Sequence, residues 1–201
     1  LYPSSMIARN LSHDCYVIDP KYQVADPNID YMTVKYDLYE GTGDKKKPVG
    51  VKECVFAQYK DGRKGIIADI LCMLLQQRKN TRKKMEYQTL VLKDAEDAKD
   101  TCESVSGIVT EQEDHYVVCN IDTNEKTKID KSVVSQVIDT YNKFEQDVFD
   151  ALQLAYKITA NSLYGQIGAR TSPIYLKDIA ACTTATGREM IMLAKEFVEK
   201  N

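Results

Sequence analysis

The chain has 201 residues, of which 27 are lysine or arginine and 30 are aspartate or glutamate, so its formal charge is -3. Apolar residues make up 43% and charged residues 28%, which is typical of a globular protein with a buried core. The longest apolar run, Ile66 to Leu75, is broken by Asp69 and is too short for a membrane span of about 20 residues. The six cysteines are widely spaced without a C-x-x-C pair, and no secretory signal opens the chain. These features argue against a zinc ribbon, a disulfide framework and secretion, and they favour a reducing, intracellular setting.

The first third of the chain predicts two strands. Residues 1–20 predict a turn followed by a short helix or an extended segment. Tyr31 to Tyr39 alternates apolar and polar side chains with a period of two, and Cys54 to Tyr59 runs into an Asp-Gly turn, so each segment predicts a strand. Residues 41–48, which include three consecutive lysines, predict the loop between them.

A helix with a basic second half follows. Its apolar positions recur at helical spacing from Ile66 onward, which predicts a helix to about Met85, with Lys99 as the outer limit. Five of the seven residues from Arg78 to Lys84 are basic, whereas residues 93–113 are rich in aspartate and glutamate. Such a charge run is most often a solvated face, although it is also the pattern of an anion site.

The segment at 101–140 predicts a small insertion between two helices. His115 to Ile121 predicts a strand, residues 122–124 a turn, and Lys126 to Ile129 a return strand. We therefore expect an inserted β-hairpin within this segment.

Two further helices are predicted in the last third of the chain. The second helix is predicted to end at Gly165. A third runs from Asp178 to Glu199. The apolar stripe that is expected to be the packing face of the second helix consists of Tyr141, Phe144, Val148, Ala151, Ala155, Ile158 and Ser162.

Polar side chains remain beside that stripe once packing is satisfied. Lys157, Asn161 and Tyr164 stand at i, i+4 and i+7, so they line one side of the helix. Arg78 and Arg82 on the first helix stand at i and i+4 and can converge on one anion. Three cations on two helices suit a triphosphate, since each charge-assisted hydrogen bond to phosphate is worth about 1.5 to 3 kcal/mol. The alternative is a solvated lysine, a helix-bending asparagine and a packed tyrosine, and spacing alone does not decide between the two.

Four stretches resemble motifs of the family B DNA polymerases and occur in that family's order. Residues 157–165, which read Lys-Ile-Thr-Ala-Asn-Ser-Leu-Tyr-Gly, are similar to the K-x-x-x-N-S-x-Y-G motif. Residues 1–4 resemble the tail of the D-x-x-S-L-Y-P-S motif, and residues 65–79 resemble the entry to the fingers helix. Residues 187–191 resemble the helix that follows the K-x-x-x-N-S-x-Y-G motif. The resemblance covers about residues 1–90 and 141–201, so it leaves out the insertion.

The resemblance implies an α+β fold, in which part of a polymerase palm carries two antiparallel fingers helices with the hairpin inserted between them. The resemblance assigns residues 1–64 to the palm, 65–100 to the first fingers helix and 101–140 to the tip insertion. It assigns 141–165 to the second fingers helix and 166–201 to the return to the palm. The implied reaction is transfer of dNMP from a dNTP to a primer 3'-hydroxyl, with release of pyrophosphate. The family's Mg²⁺ ligands are expected shortly before Leu1 and in a Y-G-D-T-D motif beyond Asn201, so these residues alone are expected to be inactive.

By resemblance, Arg78, Arg82 and Lys157 are the fingers cations that bind the triphosphate. Many relatives have lysine at the position of Arg82. Lys157 is the one residue with an implied catalytic role, either as a general acid for the departing pyrophosphate or through electrostatic stabilisation alone.

The other implied roles concern the sugar and the base pair. The backbone N-H groups of Leu1 and Tyr2 are implied to meet the phosphates, and the ring of Tyr2 is implied to be a steric gate that collides with a ribose 2'-hydroxyl. Asn161 is implied to adjoin the incoming nucleotide. Tyr164 and Gly165 are implied to face the nascent base pair.

The expected partners are primer-template DNA and dNTPs, with no membrane. The insertion is predicted either to contact a processivity factor or to be a solvated decoration. The length of the insertion and the basic run suggest that the protein comes from a large double-stranded DNA virus. Such a protein is expected to act in a host nucleus or a cytoplasmic viral factory. The alternative function is a non-catalytic, polymerase-like DNA-binding or structural subunit, which the intact K-x-x-x-N-S-x-Y-G motif disfavours. A P-loop NTPase is disfavoured because the chain has no G-x-x-x-x-G-K-[ST] run.

Overall fold

The computed structural model describes residues 1–41, 46–93 and 104–200, and it confirms a mixture of helices and strands. The elements in chain order are α1 (Tyr2–Ala8), β1 (Tyr16–Val17), β2 (Ile29–Glu40), β3 (Lys47–Tyr59), α2 (Ile66–Lys84), β4 (Gln88–Leu92), β5 (Ser104–Glu111), β6 (His115–Cys119), β7 (Lys126–Asp130), β8 (Val134–Asp139), α3 (Lys143–Gly168) and α4 (Lys177–Lys200). They form two compact units. The first unit comprises Leu1–Leu74 and Ile158–Asn201, and the second comprises Leu75–Lys157.

The sheet of the first unit has the strand order β1-β3-β2 and is antiparallel. The prediction for β2 is confirmed, but β3 is longer than predicted because it begins at Lys47, which pairs with Glu40. Polar and glycine residues in its first half conceal it from the pattern of alternation. The predicted loop lies partly outside the described residues, since 42–45 are not among them.

Helix α1 begins at Tyr2, directly at the start of the chain, so the predicted opening turn is wrong. Pro3 lies in its first turn, where a missing N-H costs nothing because that group has no partner within the helix. The helix packs on α4 at Gly187, where an added Cβ would lie 3.5 Å from the Leu1 side chain.

The turn after α1 is fixed by a buried asparagine. Asn10 has φ of 52°, a left-handed conformation that asparagine tolerates better than most residues. Its Nδ2 donates to the carbonyl of Ala57 on β3 at 3.0 Å, and its Oδ1 accepts from the N-H of Gly65 at 2.7 Å. The side chain therefore joins the end of α1, the sheet and the residue before α2.

The first N-H groups of α2 bond to side chains from a distant part of the chain. Ser12 Oγ accepts from the N-H of Ile67 at 3.1 Å, and the Asp14 carboxylate accepts from the N-H of Ile66 at 3.1 and 3.2 Å. Ser12 also donates to Asp14. Acceptors at this position satisfy unpaired donors, and a carboxylate also complements the positive end of the helix dipole.

Helix α2 ends at Lys84, close to the predicted Met85, and does not reach Lys99, because Gln88–Leu92 form β4. The sheet of the second unit has the strand order β7-β6-β5-β4-β8, with every pair antiparallel. Its core consists of Leu90, Val118 and Ile129, against which Leu92, Val105, Val109, Tyr116, Val134 and Val137 pack.

The predicted hairpin is present as β6 and β7, but the insertion is a five-stranded sheet, so the prediction of a hairpin alone is wrong. The sheet begins at Gln88, before the predicted limit of residue 101. Its additional strands, β4, β5 and β8, are only 5, 8 and 6 residues long. Their burial comes from pairing between distant segments, which local alternation does not report.

Helix α3 starts with reciprocal capping. The N-H of Glu145 donates to Asn142 Oδ1 at 3.0 Å, and the N-H of Asn142 donates to Glu145 Oε2 at 2.9 Å. The helix continues past the predicted end at Gly165 to Gly168.

The predicted packing stripe of α3 is largely exposed within this chain. Phe144 is 75% exposed, Val148 50% and Ile158 57%, whereas the buried residues are Ala160 and Ile167. The prediction of a buried stripe is therefore wrong for this chain. Periodicity identified an apolar face but could not show what covers it.

Helix α4 matches its prediction and is attached to the first sheet through Asp178. The carboxylate accepts from Tyr16 on β1 at 2.6 Å, Tyr36 on β2 at 2.8 Å and Lys52 on β3 at 2.8 Å. Burial alone would raise the pKa of Asp178, but these hydrogen bonds outweigh it and hold the pKa below its ordinary value. Burial, followed by the bond to Asp178, raises the pKa of both tyrosines. Within the described part of the chain, no helix is both long and apolar enough to cross a membrane.

Replacing Asp178 by asparagine is expected to lower the free energy of unfolding by about 2 to 3 kcal/mol at neutral pH, because three bonds to a carboxylate are weakened. This stabilisation is present above the ordinary pKa of 3.8 and is lost as the pH falls through the lowered pKa of the folded state. Urea unfolding across a pH series from neutral to acid checks the expectation. The control is Asp30→Asn, which removes an exposed ion pair with Lys60 and should cost less than about 1 kcal/mol. A loss for Asp178→Asn that does not change with pH would contradict this account.

Candidate functional site

Two tyrosines from distant parts of the chain lie face to face in the first unit. The rings of Tyr2 and Tyr164 have centroids 4.3 Å apart and planes 18° apart. The stack joins the first turn of α1 to the second half of α3. Tyr2 keeps 40% of its surface exposed, so one side of the pair is open to a ligand.

The hydroxyl of Tyr164 is held by α4. It lies 3.1 Å from Thr184 Oγ1, which itself lies 3.0 Å from the carbonyl oxygen of Ala180. A threonine hydroxyl has one proton, and the carbonyl can only accept it. Tyr164 is therefore the donor to Thr184, and the ring is oriented from both its face and its hydroxyl end.

Exposed residues of α3 lie beside Tyr164. An added Cβ at Gly165 would meet no atom within 4 Å, so this glycine leaves bare backbone at an exposed point of α3. Asn161 is exposed one turn before Gly165. Tyr2 also lines a groove together with Leu1, Thr184, Gly187, Ile191 and Met192 among others.

The predicted cations lie in the second unit. Arg78 and Arg82 face a common groove, whose other lining residues are Met85, Glu86, Asp150 and Gln153. Arg78 is half-buried, and its Nε donates to Gln153 Oε1 at 3.1 Å. Arg82 is exposed. The i, i+4 pair of arginines thus shares one concave surface.

Lys157 is exposed on α3, one turn after Gln153. No hydrogen bond or ion pair joins its amine to another residue in the described ranges, and it does not line the groove of Arg78 and Arg82. The second unit therefore contains all three predicted cations, and the other predicted residues, Leu1, Tyr2, Asn161, Tyr164 and Gly165, belong to the first unit.

The five cysteines within the described ranges are free thiols. Cys54 and Cys182 are buried beside the Asp178 cluster, where hydrogen bonding to Cys54 and then burial raise the pKa of Cys182. Burial raises the pKa of Cys15 to about 11. The hydrogen bond between Cys54 and Cys182 lowers the pKa of Cys54. Cys15, Cys54 and Cys182 are all buried, so they pack in the core rather than face a substrate.

Among residues 1–41, 46–93 and 104–200, no group of three or more histidine, cysteine, aspartate or glutamate side chains could hold a metal ion. The residues described do not fit a divalent metal centre, so no step of the chemistry is assigned to a metal within them.

Comparison with known proteins identifies the family. Residues 126–201 match the model of DNA polymerase family B. The whole chain is 50% identical to the DNA polymerase of Pyramimonas orientalis virus, and 99% of the chain is 34% identical to that of Phaeocystis pouchetii virus; in each case it covers 16% of the relative. A stretch of 58 residues, 29% of the chain and 3% of the relative, is 62% identical to the DNA polymerase of Acanthamoeba polyphaga mimivirus.

The chain belongs to the family B DNA polymerases, which confirms the resemblance of its motifs. All three relatives are virus proteins, in agreement with the predicted source in a large DNA virus. The chain spans about one sixth of the length of the two relatives that it matches from end to end.

Two residues that orient the predicted ones, Thr184 and Gln153, were not predicted from the sequence. Gln153 stands one helical turn before Lys157, so spacing already placed it on the same side of α3. Thr184 had no such signal, because it lies within a pair of threonines on a different helix and meets Tyr164 only through folding.

Replacing Thr184 by valine keeps the shape of the side chain but leaves the Tyr164 hydroxyl without its acceptor. We expect a loss of about 1 kcal/mol in the free energy of unfolding, measured by urea denaturation. The matched control is Thr186→Val on the same helix, because the buried Thr186 Oγ1 has no partner among the described residues. That variant should be neutral or slightly stabilising, since it removes an unpaired buried polar group. Equal losses in both variants would show that the Tyr164 bond contributes nothing.

Proposed function

We propose that this chain supplies nucleotide-binding surfaces of a DNA-directed DNA polymerase, which transfers dNMP from a dNTP to a primer 3'-hydroxyl and releases pyrophosphate. The observation that supports this most is the stack of Tyr2 on Tyr164. It brings together two motifs that the family resemblance assigns to the same nucleotide, although they lie far apart in the sequence.

The first unit is proposed to receive the sugar and the base pair. The half-exposed ring of Tyr2, held from behind by Tyr164, is a rigid wall under a deoxyribose. A ribose 2'-hydroxyl would collide with it, so discrimination would come from repulsion. The bare backbone at Gly165 leaves room for a base pair, and the exposed amide of Asn161 offers a donor and an acceptor beside it.

The second unit is proposed to bind the triphosphate. Arg78 and Arg82 share one groove, and Lys157 adds an exposed ammonium group on α3. Arginine binds phosphate through two parallel hydrogen bonds, whereas lysine acts as a point charge. For Lys157 we propose electrostatic stabilisation of the charge that develops on the pyrophosphate, with general acid catalysis as the alternative.

The finer assignments follow the same resemblance. Residues 1–64 and 166–201 are proposed as palm, and residues 65–100 and 141–165 as fingers. Primer-template DNA and dNTPs are the proposed partners, and Mg²⁺ is the proposed cofactor, bound by carboxylates that precede Leu1 or follow Asn201 in the full polymerase. The insertion of about 101–140 is proposed to contact a protein such as a processivity factor, or else to be a solvated decoration. Action in a host nucleus or a viral factory is a proposal of the same kind.

Replacing Lys157 by alanine in the full-length polymerase is expected to slow single-turnover dNMP incorporation by about 100-fold, the cost of removing one electrostatic contact to a transition state. Lys143→Ala is the control, because Lys143 is an exposed lysine of the same helix that pairs with Asp147. An unchanged rate for Lys157→Ala would remove its catalytic role, whereas a lack of incorporation by the unmodified full-length protein would favour a non-catalytic subunit. A changed solvent isotope effect or pH profile would indicate the general acid instead.

Replacing Tyr2 by alanine is expected to raise ribonucleotide incorporation relative to deoxyribonucleotide by at least about tenfold, because the wall against the 2'-hydroxyl is removed. The ratio of kcat/KM for matched rNTP and dNTP measures the effect. Tyr22→Ala, which removes a 65% exposed tyrosine, is the control and should leave the ratio unchanged. If Tyr2→Ala leaves the ratio unchanged as well, Tyr2 does not contact the sugar.

A further inference from the structure

Arg78 is held in place by a short relay of side chains on α3. Its Nε donates to Gln153 Oε1 at 3.1 Å, and Gln153 Nε2 donates in turn to Asp150 Oδ1 at 3.0 Å. Asp150 and Gln153 stand at i and i+3 on α3 and are therefore neighbours on its surface. All three side chains line the same groove as Arg82.

The chemistry of the two neighbours fixes the amide of Gln153 in one orientation. A guanidinium group has only donors, and an ionised carboxylate has only acceptors. The amide oxygen must therefore face Arg78, and the amide nitrogen must face Asp150. The flipped amide would place two donors against each other at Arg78 and two acceptors against each other at Asp150.

The relay occupies one of the five N-H groups of Arg78 and leaves the four at the end of the guanidinium group. Those four form the planar fork that binds phosphate through two parallel hydrogen bonds. Engagement of Nε restricts rotation of the fork before a ligand arrives, so less side-chain entropy is lost when phosphate binds. A lysine at this position would have no equivalent of Nε and could not be oriented in this way.

We propose that Gln153 is a positioning residue that orients Arg78 toward the triphosphate, and that Asp150 orients Gln153. This inference rests on the proposed function, because it assumes that Arg78 binds a nucleotide triphosphate. Gln153 itself touches no reacting atom and acts through the guanidinium group. Asp150 lies farther from the ligand and acts through the amide.

The test is a double-mutant cycle in the full-length polymerase, with steady-state kcat and KM for dNTP as readouts. Gln153→Met keeps the length of the side chain but removes the acceptor, and it should raise KM about fivefold with kcat within about twofold, the range for one net hydrogen bond. Arg78→Ala should raise KM further. Because Gln153 acts through Arg78, the double variant should be no worse than Arg78→Ala alone.

Two further variants sharpen the cycle. Asp150→Ala should raise KM about twofold, since the amide of Gln153 is then free to flip. Gln77→Met, which changes an exposed glutamine next to Arg78, is the control and should leave KM unchanged.

The possible failures are distinguishable. The positioning role would be overturned if the effects of Gln153→Met and Arg78→Ala on KM were additive. It would also be overturned if Arg78→Ala raised KM and Gln153→Met left it unchanged. Either result would leave the proposed function intact. An unchanged KM in Arg78→Ala would overturn the assignment of Arg78 to the triphosphate, and the positioning role with it.

Discussion

The first turn of α2 depends on side chains that come from the turn after α1, far earlier in the chain. Asn10, Ser12 and Asp14 accept the N-H groups of residues 65, 67 and 66, which have no acceptor within the helix. This constraint explains the close approach at Gly65, where an added Cβ would lie 2.5 Å from Cys15 Sγ and 2.6 Å from Ser12 Cβ. A helix whose start is fixed in this way can carry a basic run in its second half without that run having to hold the helix in place.

The second attachment of the first unit is Asp178, and it fixes the register of α4. The carboxylate binds one side chain from each of the three strands, so rotation of the helix would break several hydrogen bonds at once. Further along α4, Thr184 holds the hydroxyl of Tyr164, and Gly187 lies against Leu1. The stack of Tyr2 on Tyr164 is therefore supported by a partly buried charge that lies outside the stack itself.

Elements with a local signal could be predicted, whereas those formed by distant pairing could not. The periodicity of apolar residues was sufficient to locate β2, α2 and α4. The spacing of residues 157, 161 and 164 placed them on one side of α3. The five-stranded sheet was reduced to its single hairpin because β4, β5 and β8 gain their burial from strands far along the sequence. The contact of Arg78 with Gln153 joins two helices, and no spacing within either helix reports it.

The charge of the chain is also divided in a way that its total conceals. Residues 88–141, which include the second sheet, contain 12 acidic and 5 basic residues, a formal charge of 5 minus 12, or -7, whereas residues 78–84 contain 5 basic residues and no acidic one. A polyanion is repelled by the acidic residues 88–141 and attracted by the basic residues 78–84. The proposed phosphate contacts of Arg78 and Arg82 lie within this basic run, and that of Lys157 lies on α3, outside the acidic segment. The negative net charge, which taken alone argues against a nucleic-acid enzyme, comes in large part from residues 88–141, to which no phosphate contact is assigned.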